Sequence, residues 1–106
     1  MRDVYYTYIV RCADGTYYTG FTTDVAARTA QHNAGKGAKY TRSRLPVREV
    51  WHVAWETEHE ARRCEWYVKR LTHAQKAQLA SGKRRSAAYR TVWERLLAQV
   101  VGSSGN

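Results

Sequence analysis

The chain has 106 residues, 43% of them apolar and 12% aromatic, which is enough for one modest hydrophobic core and too little for two. Eighteen Lys and Arg against nine Asp and Glu give a formal charge of +9, so the surface favours polyanions, nucleic acid ahead of a membrane surface. No run approaches the roughly twenty apolar residues that cross a bilayer, and MRDVYYTYIV lacks the plan of a secretory signal, which places the expectation in the cytoplasm.

The first element is a hairpin. Val4 to Arg11 and Tyr17 to Thr22 are β-branched and aromatic, and Asp14-Gly15 between them is a strong turn signal. Thr23 or Asp24 then caps a helix through VAARTAQHN, over about 24–34, and Gly35 supplies a residue that commonly stops one. The stretch AGKGAKYTRSRLP has neither a helical nor an alternating period and reads as a basic loop. EVWHVAWE at 49–56 reads as a third strand, with Val50, His52 and Ala54 on one side and Trp51, Val53 and Trp55 on the other.

Thr57 and Glu60 form a capping-box pattern ahead of a helix over 58–71, whose apolar stripe is Ala61, Cys64, Val68 and Leu71. A short helix around Ala74 to Ala80 ends near Gly82. A last amphipathic helix, over about 86–100, carries the stripe Tyr89, Val92, Trp93, Leu96 and Val100. That stripe either covers the core or meets a protein partner. Residues 102–106 read as a mobile tail. Cys12 and Cys64 have no CxxC or Cys/His spacing nearby and read as two buried thiols.

Five of the eight tyrosines fall within YYTYIVRCADGTYYTG, and strand parity decides what they can do. A two-residue Asp14-Gly15 loop pairs Arg11 with Tyr18 and sends Tyr8 to the opposite face. A three-residue loop, Ala13-Asp14-Gly15 with Gly15 left-handed, pairs Val10 with Tyr18 and brings Tyr8 to the same face. Only the odd loop makes a single site. From the hairpin alone, plain packing of the rings is an equal alternative.

These residues resemble the GIY-YIG nuclease superfamily. Tyr6-Thr7-Tyr8 corresponds to its first motif and Tyr18-Thr19-Gly20 to its second, with Tyr6 in place of the usual glycine and Thr7 in place of the usual isoleucine. Arg28, His32 and, on a later helix, Glu65 in CEWYVKRL follow in order. QHNAGKGAKYTRSRLPV is similar to the small stand-alone, one-domain bacterial members (UPF0213 type) and to the nuclease subunit that cuts branched DNA. The likeness runs from about Tyr5 to Leu79. It implies an α+β fold, a small three-stranded antiparallel sheet flanked by helices, as the core (about 4–81) of a single domain over 1–101; the last helix, about 86–100, belongs to that domain but lies outside the resemblance. It also implies a catalytic group of Tyr8, Tyr18, Arg28, His32 and Glu65, with Tyr8 deprotonating the attacking water and Tyr18 helping to position it or the phosphate.

The residue types suit that chemistry. Phosphodiester hydrolysis needs a water nucleophile, a proton acceptor, and positive charge where negative charge develops. Arg28 offers a permanently charged fork for phosphate, and His32, one turn on, shares its helix face. His32 can orient Tyr8 or the water, or accept the proton itself. Phenol has a reference pKa of about 10, so Tyr8 as base needs a downward shift of about three units. Glu65 lies at the rim of its helix's apolar stripe with Lys69 at i+4 as the plain surface partner. Ligation by one carboxylate with waters and phosphate suits magnesium, or manganese in its place, with Glu65 as the metal residue. Gly20 leaves space beside Tyr8 that a phosphate backbone could use, with an ordinary strand bulge as the alternative reason for a glycine there.

Lys36, Lys39, Arg42 and Arg44 form a basic stretch for the nucleic-acid backbone, and Tyr40 among them can stack on an unpaired base. With no second DNA-reading domain, the expected substrate is single-stranded or branched DNA with little sequence preference, in repair, recombination or DNA uptake. The alternatives are a nucleic-acid-binding module for DNA or RNA that does not cut, and a subunit whose last helix docks on a larger repair protein.

Overall fold

The computed structural model describes residues 3–102. Strands β1 (Tyr5–Arg11) and β2 (Tyr17–Thr22) form the hairpin, and β3 (Arg48–Trp55) lies on the other side of β1, so the antiparallel sheet has the order β2-β1-β3. Five helices surround it: α1 (Val25–Asn33), α2 (Lys39–Arg42), α3 (Glu58–Lys69), α4 (His73–Ala80) and α5 (Ala87–Leu97). Residues Ala98–Gly102 continue α5 as a π-helical turn. Gly102, expected in the tail, closes that turn, and the rest of the expected tail, 103–106, lies outside the described residues.

The hairpin has the odd loop. Cys12 N–H donates to Thr16 O at 2.8 Å and Gly15 N–H to Cys12 O at 2.9 Å, leaving Ala13-Asp14-Gly15 at the tip with Gly15 at φ 85°. A positive φ of this size strains any residue with a Cβ, which is why glycine stands there. Val10 therefore pairs with Tyr18 and Tyr8 with Gly20.

The sheet separates two apolar clusters. On one face Ile9, Trp51 and Trp55 pack with Ala61, Cys64 and Val68 of α3, Leu79 of α4, and Tyr89, Leu96 and Val100 of the C-terminal helix. The terminal stripe thus covers the core, and Trp51 Nε1 donates to the Tyr89 hydroxyl at 2.9 Å. On the other face Tyr8, Val10, Cys12 and Val47 are joined by Tyr18, Val25 and Leu45. Cys12 and Cys64 are buried free thiols, one in each cluster.

Two expectations are corrected. The basic loop contains the one-turn helix α2, which is shorter than any window in which a 3.6-residue period can be seen. Alternation along β3 breaks at Val50: Ile9 pairs with Trp51 but Val10 pairs with Glu49, so Val50 is an extra residue and packs with the same cluster as Trp51. Elsewhere the local signals are realised. Asp24 caps α1 through Ala27 N–H, Thr57 and Glu60 form the capping box of α3, and Thr72 with Gln75 forms a second box at α4.

Candidate active site

Tyr8 stands at the centre. It is buried on the α1 face of the middle strand, and its hydroxyl lies 2.9 Å from Nε2 of His32. His32 is fully enclosed, and its Nδ1 lies 2.9 Å from Thr41 Oγ1. The Thr41 hydroxyl donates to Ala38 O at 2.9 Å, so it accepts from Nδ1–H. We therefore assign the Nδ1–H tautomer, which leaves Nε2 to accept the Tyr8 proton. Ala38 N–H, 3.5 Å from Nδ1, is at the limit of hydrogen-bond reach and does not compete.

Two glycines make room for this pair. A Cβ on Gly20 would stand 2.6 Å from the Tyr8 hydroxyl and 2.8 Å from Cζ, so a side chain there would displace the ring. A Cβ on Gly37 would lie 2.8 Å from His32 Cγ and 2.9 Å from its Cα. Gly37 and Thr41 were not among the expected site residues. The only sequence trace of Gly37 is its place in the Gly-Lys-Gly of the basic stretch, and a lone threonine gives no signal at all.

Burial pushes the Tyr8 phenol up to about 12, against the pull of the Arg28 guanidinium and with the help of Tyr18 and Glu65. The shift therefore runs opposite to the one that Tyr8 as a free base needs: one cation beside the hydroxyl does not outweigh desolvation. His32 is moved the other way, below the usual histidine value, by burial and then by Arg28, so it is neutral near pH 7.

Arg28 also donates from Nη1 to Gln31 Oε1 at 2.9 Å, which holds the guanidinium on the helix surface. Tyr18, on the same sheet face as Tyr8, packs edge-on to His32 with ring centroids 5.3 Å apart. Glu65 comes from the opposite layer. Arg62 lies 4.9 Å over the Phe21 ring and Lys69 Nζ lies 6.0 Å from the Tyr18 ring, so α3 runs alongside β2 and Glu65 falls between them. Its side chain is 20% exposed and Oε2 pairs with Lys69 Nζ at 2.9 Å, the plain i+4 partner, while its charge still acts on Tyr8.

All five expected catalytic residues therefore share one neighbourhood. The expected backbone contacts are less uniform. Lys36, Lys39 and Arg42 are exposed, but Arg44 is engaged: Nε pairs with Asp14 Oδ2 at 3.1 Å, Nη1 donates to Tyr40 O at 2.8 Å, and the guanidinium sits 3.9 Å over the Tyr40 ring. It ties the hairpin tip to α2. Tyr40, 38% exposed, also stacks on Tyr18 with centroids 6.1 Å apart and planes at 23°.

Among the described residues no three His, Cys, Asp or Glu gather as a metal cage. One partly exposed carboxylate beside phenolic oxygens is the donor set of a hard ion that takes most of its ligands from water and phosphate, so the residues fit a divalent ion held in that way by Glu65.

The domain that carries these residues belongs to a recognised class. Residues 4–78 match the family model of the GIY-YIG catalytic domain, and the chain belongs to the GIY-YIG family. That is a nuclease family whose substrate class is DNA and whose members typically use divalent metals. The relatives it resembles are small. It is 56% identical over 72 residues to a UPF0213 protein of Lacticaseibacillus paracasei, covering 68% of this chain and 81% of that one. A UPF0213 protein of Halobacterium salinarum is 50% identical over 76 residues, 72% of this chain and 99% of the other. The solution NMR structure of a protein from E. faecalis is 37% identical and superposes with a TM-score of 0.53, covering 81% of this chain and 94% of that one. The three-stranded sheet with flanking helices is the fold of this family. No described helix is long and apolar enough to cross a membrane.

Proposed function

We propose that the chain is a divalent-metal-dependent endonuclease that hydrolyses phosphodiester bonds in single-stranded or branched DNA with little sequence preference. The observation that carries this reading is the 2.9 Å contact between the Tyr8 hydroxyl and His32 Nε2 beside the Arg28 guanidinium. A buried structural tyrosine also finds an acceptor, but it has no need of a permanent cation beside the same hydroxyl.

In this reading Arg28 holds the non-bridging oxygens of the scissile phosphate, and Tyr18 positions the phosphate or the water. The water oxygen forms the new bond to phosphorus as the bond to the leaving oxygen breaks, and the leaving oxygen takes a proton from solvent. The water proton passes to the Tyr8 oxygen while the Tyr8 proton passes to His32 Nε2, so no free phenolate is needed from a group whose pKa is about 12. His32 ends protonated, and its Nδ1–H continues to donate to Thr41. A divalent ion at Glu65, magnesium or manganese, would supply further positive charge to the phosphoryl and leaving oxygens.

A second reading, a nucleic-acid-binding module that does not cut, is favoured by the Glu65–Lys69 pair, which occupies one carboxylate oxygen. The two separate on labelled single-stranded, flapped and duplex DNA with magnesium or with chelator. The nuclease reading expects metal-dependent cutting that is lost in Glu65→Ala and Arg28→Ala while binding is retained. Salt-sensitive binding by the wild type with no cutting under any divalent metal would overturn it.

A further inference from the structure

A second feature lies beside the Tyr8 cluster. A groove of about 320 Å³ opens along the free edge of β2, lined by Tyr17, Tyr18, Thr19, Tyr40, Lys69 and Lys76. Neighbouring residues of a strand point to opposite faces, so a groove lined by both Tyr17 and Tyr18 wraps around the edge, from α2 on one side to α3 and α4 on the other. An edge strand also presents unpaired backbone N–H groups along its outer side.

The lining contains two cations and no acid. Lys69 is shared with Glu65, but the Lys76 side chain has no ion pair or hydrogen bond among the described residues. Burial and the neighbouring Lys69 both disfavour its charge, and its pKa is lowered accordingly. Holding an unpaired ammonium partly buried beside another is unfavourable unless an anion completes the site. The walls are phenol rings, with Tyr18 and Tyr40 stacked and Tyr17 packed at 5.0 Å on His73. The volume is at the small end of ligand sites, of the order of a single nucleotide. Tyr18 belongs both to this groove and to the Tyr8–His32 cluster, so an occupant of the groove abuts the scissile position.

We propose that this groove holds the nucleotide next to the cut in a single strand, with Lys76 and Lys69 on its phosphodiester and the tyrosine walls against its sugar and base. The proposal rests on the nuclease reading for the location of the cut. It makes Lys76, on α4 and outside the five catalytic groups, a substrate-binding residue.

The test is binding of a fluorescent oligodeoxythymidylate in chelator across a salt series, for wild type, Lys76→Gln, Lys76→Arg and the exposed α5 control Arg90→Gln. We expect Lys76→Gln to weaken binding about tenfold at low salt and to reduce the slope of log affinity against log salt by about 0.7, one phosphate's worth for a single strand. Lys76→Arg restores the slope, Arg90→Gln leaves it unchanged, and all variants unfold near the wild-type temperature. With magnesium, Lys76→Gln raises KM more than it lowers kcat. A wild-type slope in Lys76→Gln overturns the groove even if the wild type cuts. A reduced slope in a protein that never cuts keeps the groove as a binding site and removes the nuclease reading instead. Inorganic phosphate that displaces the oligonucleotide from wild type and from Lys76→Gln equally would also count against the groove.

Discussion

The Tyr8 hydroxyl and His32 Nε2, from a strand and a helix 24 residues apart, meet at 2.9 Å inside the protein, where His32 has no exposed surface. Their pKa values are driven apart, the phenol upward and the imidazole downward, mainly by burial. Each thus stays neutral at pH 7, with the proton on the oxygen and the acceptor ready.

Tyr8→Phe keeps the ring and removes the donor. We expect cleavage to fall at least about 100-fold, as for loss of a general acid-base group, and stability to fall by about 1 to 3 kcal/mol because Nε2 is left buried without a partner. Single-turnover cleavage and thermal unfolding measure the two effects separately. An unchanged cleavage rate would remove Tyr8 from the mechanism.

The lowered His32 pKa fixes the sign of a pH effect. The unfolded chain takes up the proton near pH 6.5 and the folded chain only below that. Stability from this group is therefore complete above about 6.5 and is lost as pH falls toward the folded value. Wild type should lose more unfolding temperature between pH 7.5 and pH 5.5 than His32→Gln, while cleavage per folded molecule should decline only at lower pH, as His32 protonates at its depressed folded value.

Gly20→Ala places a Cβ 2.6 Å from the Tyr8 hydroxyl. The cost of overpacking is about 1 to 3 kcal/mol, and because the clash falls on the reacting atom, cleavage should drop by more than the folded fraction does. Rates normalised to folded protein from circular dichroism test this.

Gly37→Ala is expected to destabilise by a similar amount, since the backbone of His32 as well as its ring stands in the way. Hydrogen exchange should show α1 and α2 loosening together while the α3–α5 layer keeps its protection.

Tyr89→Phe leaves Trp51 Nε1 buried without an acceptor and should cost about 1 to 3 kcal/mol, with a shift in tryptophan emission. The loss should be the same whether or not DNA is present, because α5 packs on the cluster behind the sheet.

Most of this fold is legible in the chain, because its signals are local: the Asp14-Gly15 turn, the Asp24 cap, the Thr57–Glu60 box and the 3.6-residue stripes of α3 and α5. The shared face of Tyr8 and Tyr18 follows from counting three loop residues instead of two. What the chain hides is non-local or too short to repeat. The one-turn helix α2 has no period to detect, the bulge at Val50 appears only against its partner strand, and Gly37 matters through His32, which is five residues away in sequence but in contact in space. The direction of the Tyr8 pKa shift depends on how much protein encloses it, which residue types alone do not specify.

The position of β2 at the rim of the sheet has a consequence for self-association. An unpaired strand invites a second copy to dock edge to edge, which would bury Tyr18 and Gly20 under foreign backbone. Lys69 and Lys76 stand along that rim, and two molecules approaching there would bring four ammonium groups together. The charges proposed to hold a phosphodiester at this border would thus also disfavour edge-to-edge pairing of two copies.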